Sequence, residues 1–199
     1  GMALHVVWFK RDLRALDHAP LVEAAARGRV LPLYVAEPDY WRLPDTSGRQ
    51  WEALADGLRE LRDDLARLGQ PLVVRAGDVV EVLEQLRQRH GIAGLWSHEE
   101  TGNGWTYERD KRVAAWARSH GIGWHESPGG GVVRRLRSRN RWASQWEARM
   151  APPPLPVPAL APLEAIDPGV IPSAADLGIP DDPCPGRQRG GRRRGERAL

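Results

Sequence analysis

Very little in this sequence can be cross-linked or inserted into a bilayer. One cysteine, Cys184, in 199 residues excludes an intramolecular disulfide framework and fits a reducing compartment. No apolar run approaches the roughly 20 residues needed to span a membrane. The N-terminus lacks the charged and apolar regions of a secretory signal, so a cytoplasmic location without a membrane partner is expected. Familiar nucleotide and nucleophile motifs are also lacking. The turn after the first strand has no G-x-G-x-x-G, which speaks against classical dinucleotide binding, and the absence of G-x-x-x-x-G-K-[ST] excludes a P-loop. There is no G-x-S-x-G elbow and Cys184 lies among prolines, so no catalytic residue is assigned.

What is present is a composition of 41% hydrophobic and 28% charged residues, that of a globular chain with a proper core. The net charge of +3 is unevenly placed. Residues 187–199, "RQRGGRRRGERAL", hold six Arg and one Glu, which is +5 and leaves −2 for the first 186 residues. An Arg-rich tail could grip phosphates, but a solvated terminus or the first turn of a further helix weighs more. Lysine is confined to Lys10 and Lys111, so the other 27 basic residues are Arg, a hint of a GC-rich genome.

Apolar strands alternate with amphipathic helices. Strands are expected at 4–9, 30–37, 71–77, 93–99 and 122–126, with helices at 16–28, 47–69, 78–91 and 106–121. Asp17 is placed as N-cap of the first helix and Asp78 as that of the third. Trp51, Leu54, Leu58, Leu61, Leu65 and Leu68 form one apolar stripe along the second. Strands buried on both faces and joined by helices argue for a parallel sheet. Right-handed crossovers then give an α/β, Rossmann-like, doubly wound five-stranded sheet of order 3-2-1-4-5. The winding reverses between strands one and four, so their following loops, 10–17 and 98–106, flank the ligand crevice. "KRDLRALD" and "HEETGNGWT" are the chain's most unusual loops. Three units follow: an α/β domain over 1–150, a proline-dense extended linker over 151–186, and the Arg-rich start of a helical domain over 187–199.

Asp12, flanked by Arg11 and Arg14, is expected to form a charge-assisted network that fixes the first loop. Lys10 or an Arg meeting an anionic ligand or partner is the functional alternative. His98, Glu99 and Glu100 lack the spacing of a zinc motif, so hydrogen-bonding roles outweigh a metal and none is assigned. His5 inside strand one reads as a satisfied core histidine. Trp8, Trp51, Trp96 and Trp116 occupy core phases, whereas Trp41 and Trp105 lie in loops where an indole could stack on a planar ligand or simply anchor the loop.

"VVWFKRDLRALDHAPL" closely resembles the opening signature of the DNA photolyase/cryptochrome family, with Lys10 in place of the usual Arg and His18 in place of the usual Asn. "VLPLYVAEP", "LRDDLARLGQPLVVRAGD", "YERDKRV" and "CPGRQRGGRRRGERAL" extend the similarity along the chain. The resemblance implies the family's N-terminal antenna domain in a divergent branch, with a folate, a deazaflavin or FMN as the possible chromophore. FAD would belong only to a helical domain outside these residues. It also implies a longer deoxyribodipyrimidine photo-lyase that repairs damaged DNA by blue light, while this fragment alone does not catalyse. Phe9, Lys10, Leu13, Glu99, Glu100, Asn103 and Trp105 are the candidate chromophore-binding residues. Arg11, Asp12, Arg14 and Asp17 are the candidates for locking the loop and the contact with the helical FAD domain. The family's folate-binding Asn-Glu pair falls on Trp105 and Thr106, and "RNRWASQWEARM" (139–150) departs from the usual pattern, keeping only Trp146 in register. The alternatives are a cryptochrome-type blue-light receptor, a stand-alone nucleotide-binding domain, and a nucleic-acid module acting through the tail.

Overall fold

The computed structural model describes residues 3–129 and 152–180. Five strands form one parallel sheet in the order β3-β2-β1-β4-β5. These are β1 (Leu4–Phe9), β2 (Val30–Ala36), β3 (Val73–Ala76), β4 (Ile92–His98) and β5 (Gly123–Ser127). The helices are α1 (Ala19–Arg27), α2 (Pro38–Trp41), α3 (Gly48–Leu68), α4 (Val79–His90) and α5 (Gly104–Ser119). The expected order is the observed one. All seven residues of β2 are buried, as a central strand covered on both faces requires.

Period-two alternation along β1 divides the core into two layers. Val7 and Phe9 face α1 and α3, where Trp51, Leu58, Leu61 and Leu65 of the apolar stripe are buried. Leu54 and Leu68 complete that stripe at its partly buried margin. Leu4, Val6 and Trp8 face α4 and α5, against Leu83, Val113 and Trp116. Trp8, Trp51, Trp96 and Trp116 are all buried, and His5 accepts a hydrogen bond from Trp96 at 3.1 Å.

Helix starts follow side-chain capping. Ser47, Asp78 and Asn103 each accept from a backbone N–H in the first turn of α3, α4 and α5. The last begins two residues earlier than its apolar pattern indicates, because Asn103 stops it. The first helix departs from expectation. Asp17 is not its cap: His18 is, with Nδ1 accepting from Leu21 N at 3.1 Å. Asp17 sits at φ +54 and turns its carboxylate to Leu155 N at 2.9 Å. The segment expected to be a loop after β2 contains α2, which buries Trp41 against Trp51.

Residues 152–180 form an extended strap over this domain. Leu160, Leu177 and Ile179 join the α3-side layer, and Leu163 and Ile166 the other. Pro168 O accepts from Val74 N at 2.7 Å, so the strap covers the free edge of β3. Pro172 O accepts from Trp51 Nε1, and Leu160 N donates to Leu68 O. The strap thus adds to the domain's core instead of building one of its own. Trp146, Cys184 and the Arg-rich tail lie outside the described residues. Among the described residues, no helix is long and apolar enough to cross a membrane.

Gly69 ends α3 at φ +129, and a Cβ there would lie 1.8 Å from Leu160 O. Gly69→Ala is expected to push the strap off α3 and cost more than about 2 kcal/mol, read from urea denaturation followed by tryptophan fluorescence. A variant as stable as the parent would show that the strap contributes little.

Candidate functional site

The chain leaves β1 at Phe9 and makes a compact turn at the carboxyl edge of the sheet. Asp12 holds that turn. Its Oδ1 accepts from Lys10 N at 2.9 Å, and its Oδ2 lies 2.6 Å from His18 Nε2 and 2.7 Å from His98 Nδ1. This corrects the expected Arg11–Asp12–Arg14 network. Arg11 reaches Tyr40 Oη at 2.8 Å and Glu100 at 3.6 Å, while Arg14 donates to the carbonyls of Leu16 and Asp17. The imidazoles win because both are fixed by secondary structure, His98 at the end of β4 and His18 at the cap of α1. Burial would raise the Asp12 pKa, but the bonds from His18 and His98 outweigh it and hold the carboxyl well below the usual range. His18 is lowered by desolvation against the pull of Asp12.

Asp12, His18 and His98 also bring three potential metal-ligand atoms within 4.8 Å of one another. The donor set does not suit a metal. Neutral His18 accepts from Leu21 N through Nδ1, so its one proton sits on Nε2 and points at Asp12. A metal on Nε2 would displace that proton and undo the helix cap.

Beside this turn, a cleft of about 370 Å³ opens between the ends of β1 and β2, the loop after β4, α2 and the start of α5. Phe9, Tyr34, Tyr40 and Trp41 give it aromatic surface. Its charge is organised around Arg109, which is 5% exposed. Nη1 donates to Glu37 at 2.5 Å, Nη2 to Glu100 at 2.6 Å and Nε to Asp110 at 2.9 Å. Lys10 is equally buried: its Nζ stands 3.8 Å from Glu100, 3.9 Å from Asp110 and 4.4 Å from the Trp8 ring centre, with no hydrogen bond among the described residues. Burial pushes the Glu37 carboxyl up to about 7 despite the opposing pull of Arg109.

Of the candidate chromophore residues, the structure brings Phe9, Lys10, Glu100 and Asn103 to the cleft. Leu13 packs instead toward α3, beside Gly57. Glu99 lines a smaller neighbouring cavity of about 250 Å³ with Asp12 and His98. Trp105 meets Tyr40 edge-on at 5.4 Å and so supports the wall from outside the lining set. Sequence reasoning missed Glu37, Tyr34, Tyr40 and Arg109. Glu37 carried a readable signal, a carboxylate ending an otherwise apolar strand, as Lys10 ends β1. Arg109 lay inside "YERDKRV", but on a helix rich in arginines nothing in the pattern marked it as turned into the cleft.

Comparison with known proteins agrees with this architecture. The model of the DNA photolyase family matches residues 5–156. A cryptochrome DASH of Gloeobacter violaceus is 33% identical over 191 residues, covering 87% of this chain and 38% of that protein. A Synechocystis cryptochrome superposes with a TM-score of 0.64 at 19% identity, over 83% of this chain and 38% of its own. An archaeal photolyase from Sulfolobus tokodaii, described with two FAD molecules and the implication of a novel light-harvesting cofactor, gives 0.57 at 18% identity over 92% of this chain and 43% of its own. The two superpositions show a shared fold. The chain spans about two fifths of the length of these relatives.

The Asp12 contacts set a pH dependence. Asp12 is depressed below its ordinary 3.8, so its contribution is full above that value and is lost as pH falls below it. His18 is depressed below 6.5, so acid also favours the unfolded chain from there downward. In Asp12→Asn the amide N–H would face the Lys10 N–H, with an expected cost of roughly 2 kcal/mol near neutral pH. The variant's deficit should shrink below about pH 4. Urea midpoints at the two pH values check this, and an equal deficit at both would refute it.

Proposed function

The chain belongs to the DNA photolyase family, and on that premise we propose that it is the light-harvesting domain of a longer flavoprotein. In this reading the cleft beside Arg109 holds a planar antenna chromophore, a folate, a deazaflavin or FMN. The chromophore absorbs light and passes its excitation to FAD in a helical domain of the longer protein, which repairs pyrimidine dimers in DNA. The 199-residue chain by itself is not expected to catalyse repair.

The observation that carries the reading is the cleft. Its volume of about 370 Å³ lies within the roughly 300–1,000 Å³ usual for small-ligand sites. It lies at the carboxyl ends of β1 and β2, next to the β1/β4 boundary where the winding of the sheet reverses. Phe9, Tyr34, Tyr40 and Trp41 offer the apolar and aromatic surface a flat ring system needs. Arg109, Glu37, Thr106 and Asn103 are among the polar residues of the lining that would fix its orientation. The turn held by Asp12 keeps Phe9 and Lys10 in place on the cleft's floor. Arg11 and Arg14 extend from the same turn, and the exposed Leu16 beside them suits a contact with the helical domain.

The similarity to a cryptochrome DASH supports a second reading, a blue-light receptor built on the same two domains. Light-dependent repair of dimer-containing DNA by the longer protein separates the two.

Fluorescence titration of the purified chain with folate, deazaflavin and FMN tests the antenna reading. Saturable binding of one is expected, weakened about tenfold in Tyr40→Ala by loss of one aromatic wall, on the order of 1 kcal/mol. A folded chain that binds none of the three would overturn it.

A further inference from the structure

Three carboxylates converge on the single guanidinium of Arg109, and they are not equally served. Glu100 and Asp110 each have Lys10 Nζ within 4 Å as a second cation, and Glu100 also has Arg11 at 3.6 Å. Among the described residues, Glu37 has only its share of Arg109, through Oε1. The third cation of the group, the exposed Arg11, reaches Glu100 and not Glu37, so the positive charge is unevenly shared among the three acids. Glu37 is the acid with the least compensating positive charge, and so the one on which a proton is most favoured. It is 7% exposed, so water cannot make up the difference. Its Oε2 makes no hydrogen bond among the described residues, and the residue lines the cleft.

We infer that Glu37 is the specificity-determining residue of the cleft: its carboxyl carries a proton on Oε2 and donates it as a hydrogen bond to the acceptor edge of a bound planar heterocycle. This rests on the antenna reading and deepens it by naming the chemistry selected, a ring bearing a carbonyl or ring-nitrogen acceptor. A ligand that presented only donors at that edge would meet a donor. The position is rigid, because Glu37 closes β2 and is the N-cap residue of α2. The other groups facing it reinforce the proton. Asp78 at the start of α4 and Glu100 after β4 both disfavour a second negative charge there. Tyr34 of β2 is raised by its own burial and by Glu37, so it stays a neutral phenol. The Glu37 carboxyl, held at about 7, is thus poised to gain or lose this proton near neutrality.

The test uses riboflavin, which carries no group that titrates across the range examined. Its affinity for the full chain is measured by fluorescence quenching at about pH 6 and about pH 8.5, where roughly tenfold weaker binding is expected at the higher value. Glu37→Gln keeps an acceptor for Arg109 and a donor for the ligand, so it is expected to bind with the same affinity at both pH values. Calorimetry of the parent chain at the higher pH, in buffers of different ionisation enthalpy, is expected to show about one proton taken up per ligand bound. The parent-chain calorimetry stands even where the variant fails to fold. Equal affinity at both pH values, no proton uptake, or an undiminished slope in Glu37→Gln would each overturn the inference while leaving the antenna reading intact. No riboflavin binding at either pH would overturn the inference, and the antenna reading would then turn on folate and deazaflavin.

Discussion

The carboxylate of Asp12 ties together three parts of the chain that the sheet alone would leave independent. Its donors come from the turn after β1, from the cap of α1 and from the end of β4. In an open parallel sheet the carboxyl edge is made of loops, and loops are the least constrained part of the fold. A partly buried anion with three fixed donors removes that freedom locally. Phe9 and Lys10 hold their places in the cleft because the residue two positions on cannot move without stranding two imidazoles. His18 serves twice, accepting from Leu21 through one nitrogen and facing Asp12 through the other. That double duty fixes its proton and disqualifies the cluster as a metal centre.

The second constraint is charge concentration around Arg109. Buried ion pairs seldom add net stability, because desolvation consumes most of the attraction. Here the group is better understood as a device for holding polar atoms in the wall of the cleft. Arg109 belongs to α5, Glu37 to the β2–α2 junction and Glu100 to the loop after β4, so one guanidinium fixes the relative placement of three walls. Lys10 and Arg11 serve the other carboxylates, which leaves Glu37 poorly compensated. A polar set with one unsettled proton is what a ligand can read.

The strap over residues 152–180 shows how a segment without amphipathic period contributes to a core. Its apolar residues are spaced for an extended path that runs from α3 to the edge of β3 and back. Proline carbonyls do much of the bonding, accepting from Trp51, Arg62 and Val74. Proline lacks a donor, so a chain rich in it naturally presents acceptors to the donors of its surroundings. The covered edge of β3 is thereby closed to pairing with another chain.

Hydrophobic period and capping chemistry made most of the fold legible in the sequence. The five strands, the long helix and the 3-2-1-4-5 order follow from local patterns and the handedness of crossovers, and so did the loops after β1 and β4 on one side of the cleft, but not its other side, from Tyr34 to Leu54. Phe9, Lys10, Glu100 and Asn103 were within reach of that reasoning because they lie in those loops. What the sequence by itself did not determine is which charges meet. Asp12 had two arginines beside it in the chain, yet its partners come from six and eighty-six residues away. Arg109 and Glu37, seventy-two residues apart, meet only after two crossovers have brought α5 across the end of β2. Periodicity encodes which face of an element is buried. Pairings among buried polar groups depend on distances between elements, and only the packed tertiary structure decides those.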